Sequence, residues 1–129
     1  MPIPHTLDGY DVVGAVERML DQPALWWQAV GLFVQHFAGW EKDWQSAIGD
    51  DALERKRVHA ICSAAANVGA VRLAGSAEAL ERHLLERQAG RGGDVPDDLR
   101  QRLRADFRNA WLAAANAWRV NTAGPGGEA

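Results

Sequence analysis

The sequence predicts an all-α fold, and three observations predict it. Apolar residues recur at alternating steps of three and four along most of the chain, which places them on one stripe of a helix. No segment shows the two-residue alternation of a half-buried strand. Asp11, Asp21-Gln22-Pro23, Gly49, Asn67-Val68-Gly69 and Pro96-Asp97-Asp98, residues suited to starting or stopping helices, stand between the stripes. The architecture expected is an antiparallel up-down four-helix bundle with a short additional N-terminal helix.

The elements follow in order. Met1 to Tyr10 reads as an irregular lead-in. Asp11 is suited to cap a short helix with apolar positions at Val12, Val13, Val16, Met19 and Leu20. Pro23 opens the next helix, since proline in a first turn costs no hydrogen bond. That helix carries the strongest stripe: Trp26, Val30, Phe33, Phe37, Trp40, Trp44 and Ile48. The spacing is that of a bundle seam, so the rings are read as core and not as a cofactor box. The six Trp still leave room for an exposed aromatic patch on one helix. Asp51-Ala52-Leu53-Glu54 reads as a capping box opening the third long helix, and Asn67-Val68-Gly69 ends it. Leu53, Ala60 and Ala64 are expected on its core side, and the run Glu54-Arg55-Lys56-Arg57 on a solvated face. Leu73, Ala77, Leu80 and Leu84 form the stripe of the fourth. The glycine-rich stretch Ala89 to Asp94 is a loop. No strand precedes it and its glycine spacing is wrong for a phosphate cradle. Pro96-Asp97-Asp98 starts the last helix, with Leu99, Leu103, Phe107, Trp111, Ala114 and Trp118 facing inward. The tail, Ala123 to Glu128, is expected to be disordered.

Composition bounds the function. A chain of 129 residues is long enough for one core, so a single domain over 1–129 is expected, ordered over about residues 11–120. With 14 Lys and Arg against 17 Asp and Glu, the formal charge of -3 makes no case for nucleic acid. Lone Cys62 has no internal disulfide partner, which suits a reducing compartment. No apolar run approaches the roughly 20 residues of a membrane span, and Met1-Pro2-Ile3-Pro4-His5 does not begin a signal peptide. A cytoplasmic protein is expected. His5, His36 and His83 stand apart, and no Glu-x-x-His occurs, which argues against a di-metal bundle.

The candidate site is the stretch from Val58 to Ala70, which joins His59 to a run of small residues and a helix-ending Asn-x-Gly. On a helix, Arg55 and Lys56 lie one turn before His59, and Cys62 and Ser63 one turn after. His59-Ala60-Ile61-Cys62-Ser63-Ala64-Ala65-Ala66-Asn67-Val68-Gly69-Ala70, followed by Leu73 and Leu80-Glu81, resembles the phosphoacceptor region of histidine-containing phosphotransfer (HPt) domains. The pattern there is His-x-Leu-Lys-Gly, small residues, Asn-Ile-Gly-Ala, then Leu and Leu-Glu. The resemblance implies a phosphorelay carrier without a kinase or ATP site of its own. His59 would take a phosphoryl group from a receiver-domain aspartate and pass it to another receiver.

The implied partners are receiver domains of response regulators or hybrid histidine kinases, which would bring the Mg²⁺; no cofactor of its own is implied. Arg55, Lys56, Cys62, Ser63 and Ala66 would flank the transfer, with Asn67 and Gly69 in the structural turn. An exposed imidazole, with an ordinary pKa of about 6.5, offers a neutral nitrogen nucleophile near pH 7. This chain departs from the pattern at Cys62, where the family has Lys, and at Ser63, where it has Gly. Arg55 or Lys56 could supply the missing charge. Arg57 is expected to lean toward the bundle, where the family often has an apolar residue. Cys62 could instead be a redox-sensitive thiol, if nearby cations lower its pKa. Two other readings are an HPt-like bundle that docks a receiver or kinase without carrying phosphate, and a ligand- or metal-binding bundle.

Overall fold

Six helices carry the described residues, 3–122, of the computed structural model. They are α1 (Val12–Arg18), α2 (Pro23–His36), α3 (Trp40–Ala47), α4 (Asp51–Val68), α5 (Val71–Gln88) and α6 (Asp97–Thr122). No strand occurs among those residues, and no helix is long and apolar enough to cross a membrane. The tail expected to be disordered lies outside them.

Helix α1 begins as its sequence predicts, with Asp11 Oδ1 accepting the Gly14 N–H at 3.0 Å. Val12 is buried and Val16 and Met19 half-buried, but Val13 and Leu20 are exposed. Val13 lies on the outer side of this short helix, and Leu20 falls in the turn after it with φ of 61°, off the stripe.

The aromatic segment is two helices and not one. The chain leaves α2 at Phe37, and the Trp40 N–H meets the Phe37 carbonyl at 3.1 Å as α3 begins. Gly39, a poor helix former, stands at the break. The turn is so tight that the apolar rhythm runs across it. Trp40 stacks on Trp44 (5.1 Å between centroids, 12° between planes) and tilts against Phe107 at 4.8 Å. Trp26, Val30, Phe33, Trp40 and Trp44 are buried, Phe37 is half-buried, and Ile48, in extended backbone past α3, is exposed. Trp27 is buried too. None of the six Trp is exposed, so the room they left for an exposed aromatic patch is not used.

Helix α4 starts one residue earlier than a cap at Asp51 would place it. Asp50 is the cap, its carboxylate accepting the Leu53 N–H at 3.1 Å. The core stripe is Glu54, Val58, Ile61, Ala65 and Val68; Leu53 and Ala64 are half-buried and Ala60 is exposed. Glu54 therefore belongs to no solvated face. Its carboxylate is fully buried, held by Arg100 through both oxygens at 2.7 and 2.9 Å and by the Trp44 indole N–H at 3.0 Å. A buried carboxylate is tolerated only when paired and hydrogen-bonded in this way.

The end of α4 gathers bonds from three directions. Gly69 sits at φ 86°, and the Gly69 and Ala70 N–H groups close on the Ala66 and Ala65 carbonyls at 3.3 and 2.9 Å. Arg18 adds a second donor to Ala66 O, Trp26 Nε1 donates to Val68 O, and the Asp11 N–H donates to Gly69 O. The chain then returns as α5, antiparallel to α4. Arg87 meets Asp51 at 2.9 Å at the far end of the hairpin. Leu73, Ala77, Leu80 and Leu84 are buried as predicted, the leucines each contributing roughly 1.5–3 kcal/mol of burial.

The glycine-rich loop is tied back to α5, with Gly93 O between Arg87 Nη1 at 2.9 Å and His83 Nε2 at 3.1 Å. Helix α6 then packs Leu103, Phe107, Ala110 and Ala114 into the core; Leu99, Trp111 and Trp118 are half-buried. Ser76 of α5 hydrogen-bonds Asp106 of α6. Along α2, Trp111 Nε1 donates to Val34 O, and Trp118 lies over Gly31, where a Cβ would come within 2.7 Å of the ring. Glu41 of α3 is clamped by Arg108 at 2.6 and 2.8 Å. The contacts between helices are those of a helical bundle, with one continuous core.

Three outcomes follow for stability. A Cβ at position 69 would be strained by the positive φ and would meet Asp11 O at 2.7 Å. Gly69→Ala should therefore cost about 2 kcal/mol or more in urea unfolding. Gly75→Ala, on an exposed helix face with open space, should be neutral or stabilising by about 0.5–1 kcal/mol. Glu41 is held below its ordinary 4.5 by the Arg108 hydrogen bond first; burial opposes this, and the Arg108 and Arg104 charges add to the lowering. A depressed carboxyl stabilises the fold fully above its unfolded pKa and loses that contribution as pH falls through the lower folded value. Wild type should exceed Glu41→Gln in stability at pH 7, and acid titration below pH 4.5 should narrow the gap.

Candidate functional site

The α4–α5 hairpin presents His59 at mid-helix, its side chain 62% exposed. Its Nδ1 lies 2.8 Å from Oε2 of Glu81, one helix across, whose side chain is only 14% exposed. With the Nδ1 proton donated to that carboxylate, the lone pair of the imidazole is on Nε2, the nitrogen without a partner among the described residues. The register that brings residues 59 and 81 together is set by the Gly69 turn at one end and the Asp51–Arg87 pair at the other. A fixed, exposed imidazole with one nitrogen anchored is a nucleophile with a defined direction of attack.

The flanking residues divide by side. Arg55, one turn before His59, shares its face: Nη1 is 3.7 Å from the same Glu81 oxygen, and Nε is buried without a partner. Lys56 is exposed, with no ion pair among the described residues. Arg57 is exposed as well and does not lean into the bundle. It lies between the core stripe positions Glu54, Val58 and Ile61 on the outer side, and its contribution is a backbone carbonyl that accepts Trp40 Nε1 at 2.8 Å. One turn after His59, Cys62 is half-buried with Sγ 3.7 Å from Ala74 O. Ser63, Ala66 and Asn67 are exposed, and Gly69 is buried.

The thiol at 62 is not activated. Burial first, then the charges of Glu81 and Glu78, push its pKa above the ordinary value of 9.0. The residues acting on it are acids, not cations, which corrects the redox-thiol expectation.

Beside this face, Leu32, Phe33, Phe37, Ala64 and Val68 line a hollow of about 180 Å³ between α2 and α4, with His36 and Asn67 also in its wall. His5 and His36 are exposed and His83 serves the loop, so no second histidine joins His59. No group of three or more His, Cys, Asp and Glu suited to a metal ion occurs among the described residues. Glu81 is the residue whose role sequence reasoning missed. It stood in the Leu-Glu pair of the motif, but its contact with His59 depends on the register between two helices.

No family model, no curated protein and no solved structure matches the chain. The functional reading rests on the residues and their geometry.

The raised thiol pKa has a direct readout. At pH 8, Cys62 should react with a disulfide reagent several-fold more slowly than a free cysteine peptide, because less of it is thiolate. Glu81→Gln, which removes one of the charges opposing ionisation, should speed the reaction without bringing it to the free-peptide rate.

Proposed function

We propose that the protein is a histidine phosphotransfer protein, a phosphoryl carrier of a multistep phosphorelay. It accepts the phosphoryl group on His59 from the aspartate of one receiver domain and passes it to another. The single observation that carries this reading is an exposed imidazole whose Nδ1 is anchored by Glu81 while Nε2 is left to react. In the forward step the Nε2 lone pair attacks phosphorus, the bond from phosphorus to the aspartyl oxygen breaks, and its electron pair stays on the carboxylate. The proton remains on Nδ1, against Glu81. The transition state is loose, so positioning and charge matter more than acid–base chemistry on this chain. Mg²⁺ belongs to the receiver's acidic pocket.

The same reading takes the helices as an antiparallel up-down four-helix bundle, with α2 and α3 as one leg, α4, α5 and α6 as the others, and α1 as the addition. Small exposed residues along α4 (Ala60, Ser63 and Ala66) leave space for a partner's backbone, and the cations at Lys56 and Arg57 complement its acidic pocket. The reading includes a cytoplasmic location, no kinase or ATP site on this chain, and no nucleic-acid or membrane partner.

A second reading is favoured by one observation: position 62, where HPt domains have Lys, holds a half-buried thiol. On that reading the bundle docks a receiver without carrying phosphate. Incubation with a phosphorylated receiver domain and Mg²⁺ distinguishes the two. The carrier predicts an acid-labile, base-stable label on the protein that disappears in His59→Gln. Stable binding of the receiver with no transferred label would give the second reading the field.

A further inference from the structure

A phosphoryl group arriving at His59 Nε2 adds two negative charges to a face that already holds the Glu81 carboxylate. The turn after His59 is neutral at Cys62 and Ser63, and Cys62 Sγ is turned to Ala74 O. Positive charge must come from the turn before. Helical side chains lean toward the N-terminus of their helix, so the imidazole lies over the turn that carries Arg55 and Lys56. The geometry separates those two. Arg55 faces the His59–Glu81 pair, whereas Lys56 is turned to solvent without an ion pair among the described residues.

Arg55 is also loosely tied. Among the described residues its one ion pair is long, 3.7 Å to Glu81 Oε2, and its buried Nε has no partner. The same Glu81 oxygen is 2.8 Å from His59 Nδ1. One carboxylate oxygen cannot fully satisfy both groups, and how much of its charge is left for Arg55 depends on the charge of the ring. A neutral imidazole donates its Nδ1 proton to Glu81 at 2.8 Å and leaves the carboxylate charge still attracting Arg55 at 3.7 Å. A phosphorylated ring, positive through its Nδ1 proton, turns that contact into an ion pair and so weakens the hold of Glu81 on Arg55.

We propose that Arg55 is the charge-supplying residue for phosphoryl transfer, exchanging its contact with Glu81 for the phosphoryl oxygens as the His59 ring becomes charged. The inference rests on the phosphoacceptor reading of His59. The exchange balances. Before transfer the ring is neutral, and Glu81 accepts from Nδ1 while its charge also holds Arg55 at the longer distance. Afterwards Glu81 is paired with the imidazolium, and the guanidinium faces the phosphoryl dianion. A fork of several N–H donors suits that dianion better than a point charge does.

Potassium phosphoramidate tests this without a protein partner. The Nε2 lone pair attacks phosphorus and ammonia leaves, and phosphohistidine is followed by phosphorus NMR and located by mass spectrometry. Wild type should be labelled at His59. Arg55→Gln should form phosphohistidine at least about tenfold more slowly, the loss expected for a charged hydrogen bond to the reacting group. Arg55→Lys should recover part of the rate, and Lys56→Gln should match wild type. If Arg55→Gln loses helix content by circular dichroism, Arg55→Met, which keeps the aliphatic stem, carries the same comparison. Labelling of a folded Arg55→Gln or Arg55→Met at the wild-type rate overturns the proposal while leaving His59 as phosphoacceptor. A slow Lys56→Gln beside a fast Arg55→Gln overturns it equally. If neither phosphoramidate nor a phosphorylated receiver labels wild-type His59, the phosphoacceptor reading fails, and this inference with it.

Discussion

A helix that stops inside a packed structure leaves carbonyl groups without partners, and in this chain the end of α4 is where that demand is met. Gly69 reaches the left-handed region without a Cβ, so the chain can fold back on the Ala65 and Ala66 carbonyls and turn at once into α5. The outer lone pairs there are taken by Arg18, Trp26 and Asp11, which ties α1 and α2 to the same point. Because the turn is short and closed, the two longest-contacting helices have one register. That register sets Glu81 opposite His59, so the candidate chemistry inherits its geometry from a backbone constraint ten residues away along α4.

The bundle is braced by indole N–H groups and one buried charge as well as by apolar packing. Trp26, Trp40, Trp44 and Trp111 each span two helices with the ring in or against the core and the N–H on a carbonyl or on Glu54. Glu54 is the costliest residue to bury, and Arg100 reaches in from α6 to satisfy it. Hydrogen bonds with a direction select one arrangement of helices from the several that an aromatic stripe would permit. The break at Gly39 serves the same arrangement, because it lets Trp40 rest on both Trp44 and Phe107.

Around His59, a single carboxylate organises the electrostatics. Glu81 is mostly buried, accepts from the imidazole, attracts Arg55 and pushes the neighbouring thiol away from ionisation. A buried anion of this kind keeps the ring in one tautomer and adds to the effect of burial in disfavouring the thiolate. The reactive group is then the one nitrogen that Glu81 does not touch.

Local chemistry made much of this legible in the sequence. Asp11, Pro23, Asn67-Val68-Gly69 and Pro96 mark helix ends through backbone preferences that need no tertiary partner. The stripes of α5 and α6 follow from a period, and so does the mid-helix position of His59. The break between α2 and α3 was hidden because one tight turn preserves the apolar rhythm on both sides of it. Glu54, Arg57, Ala60 and Glu81 were misread or left without a role for a related reason: residue type suggests an environment, but only packing assigns one. A glutamate reads as solvated until an arginine forty-six residues later supplies its partner, and His59 lacks an anchor until the hairpin closes. Periodicity and capping are properties of neighbours along the chain, so the sequence by itself determined the helices. Register and charge pairing depend on distances between helices, and those exist only once the chain has folded.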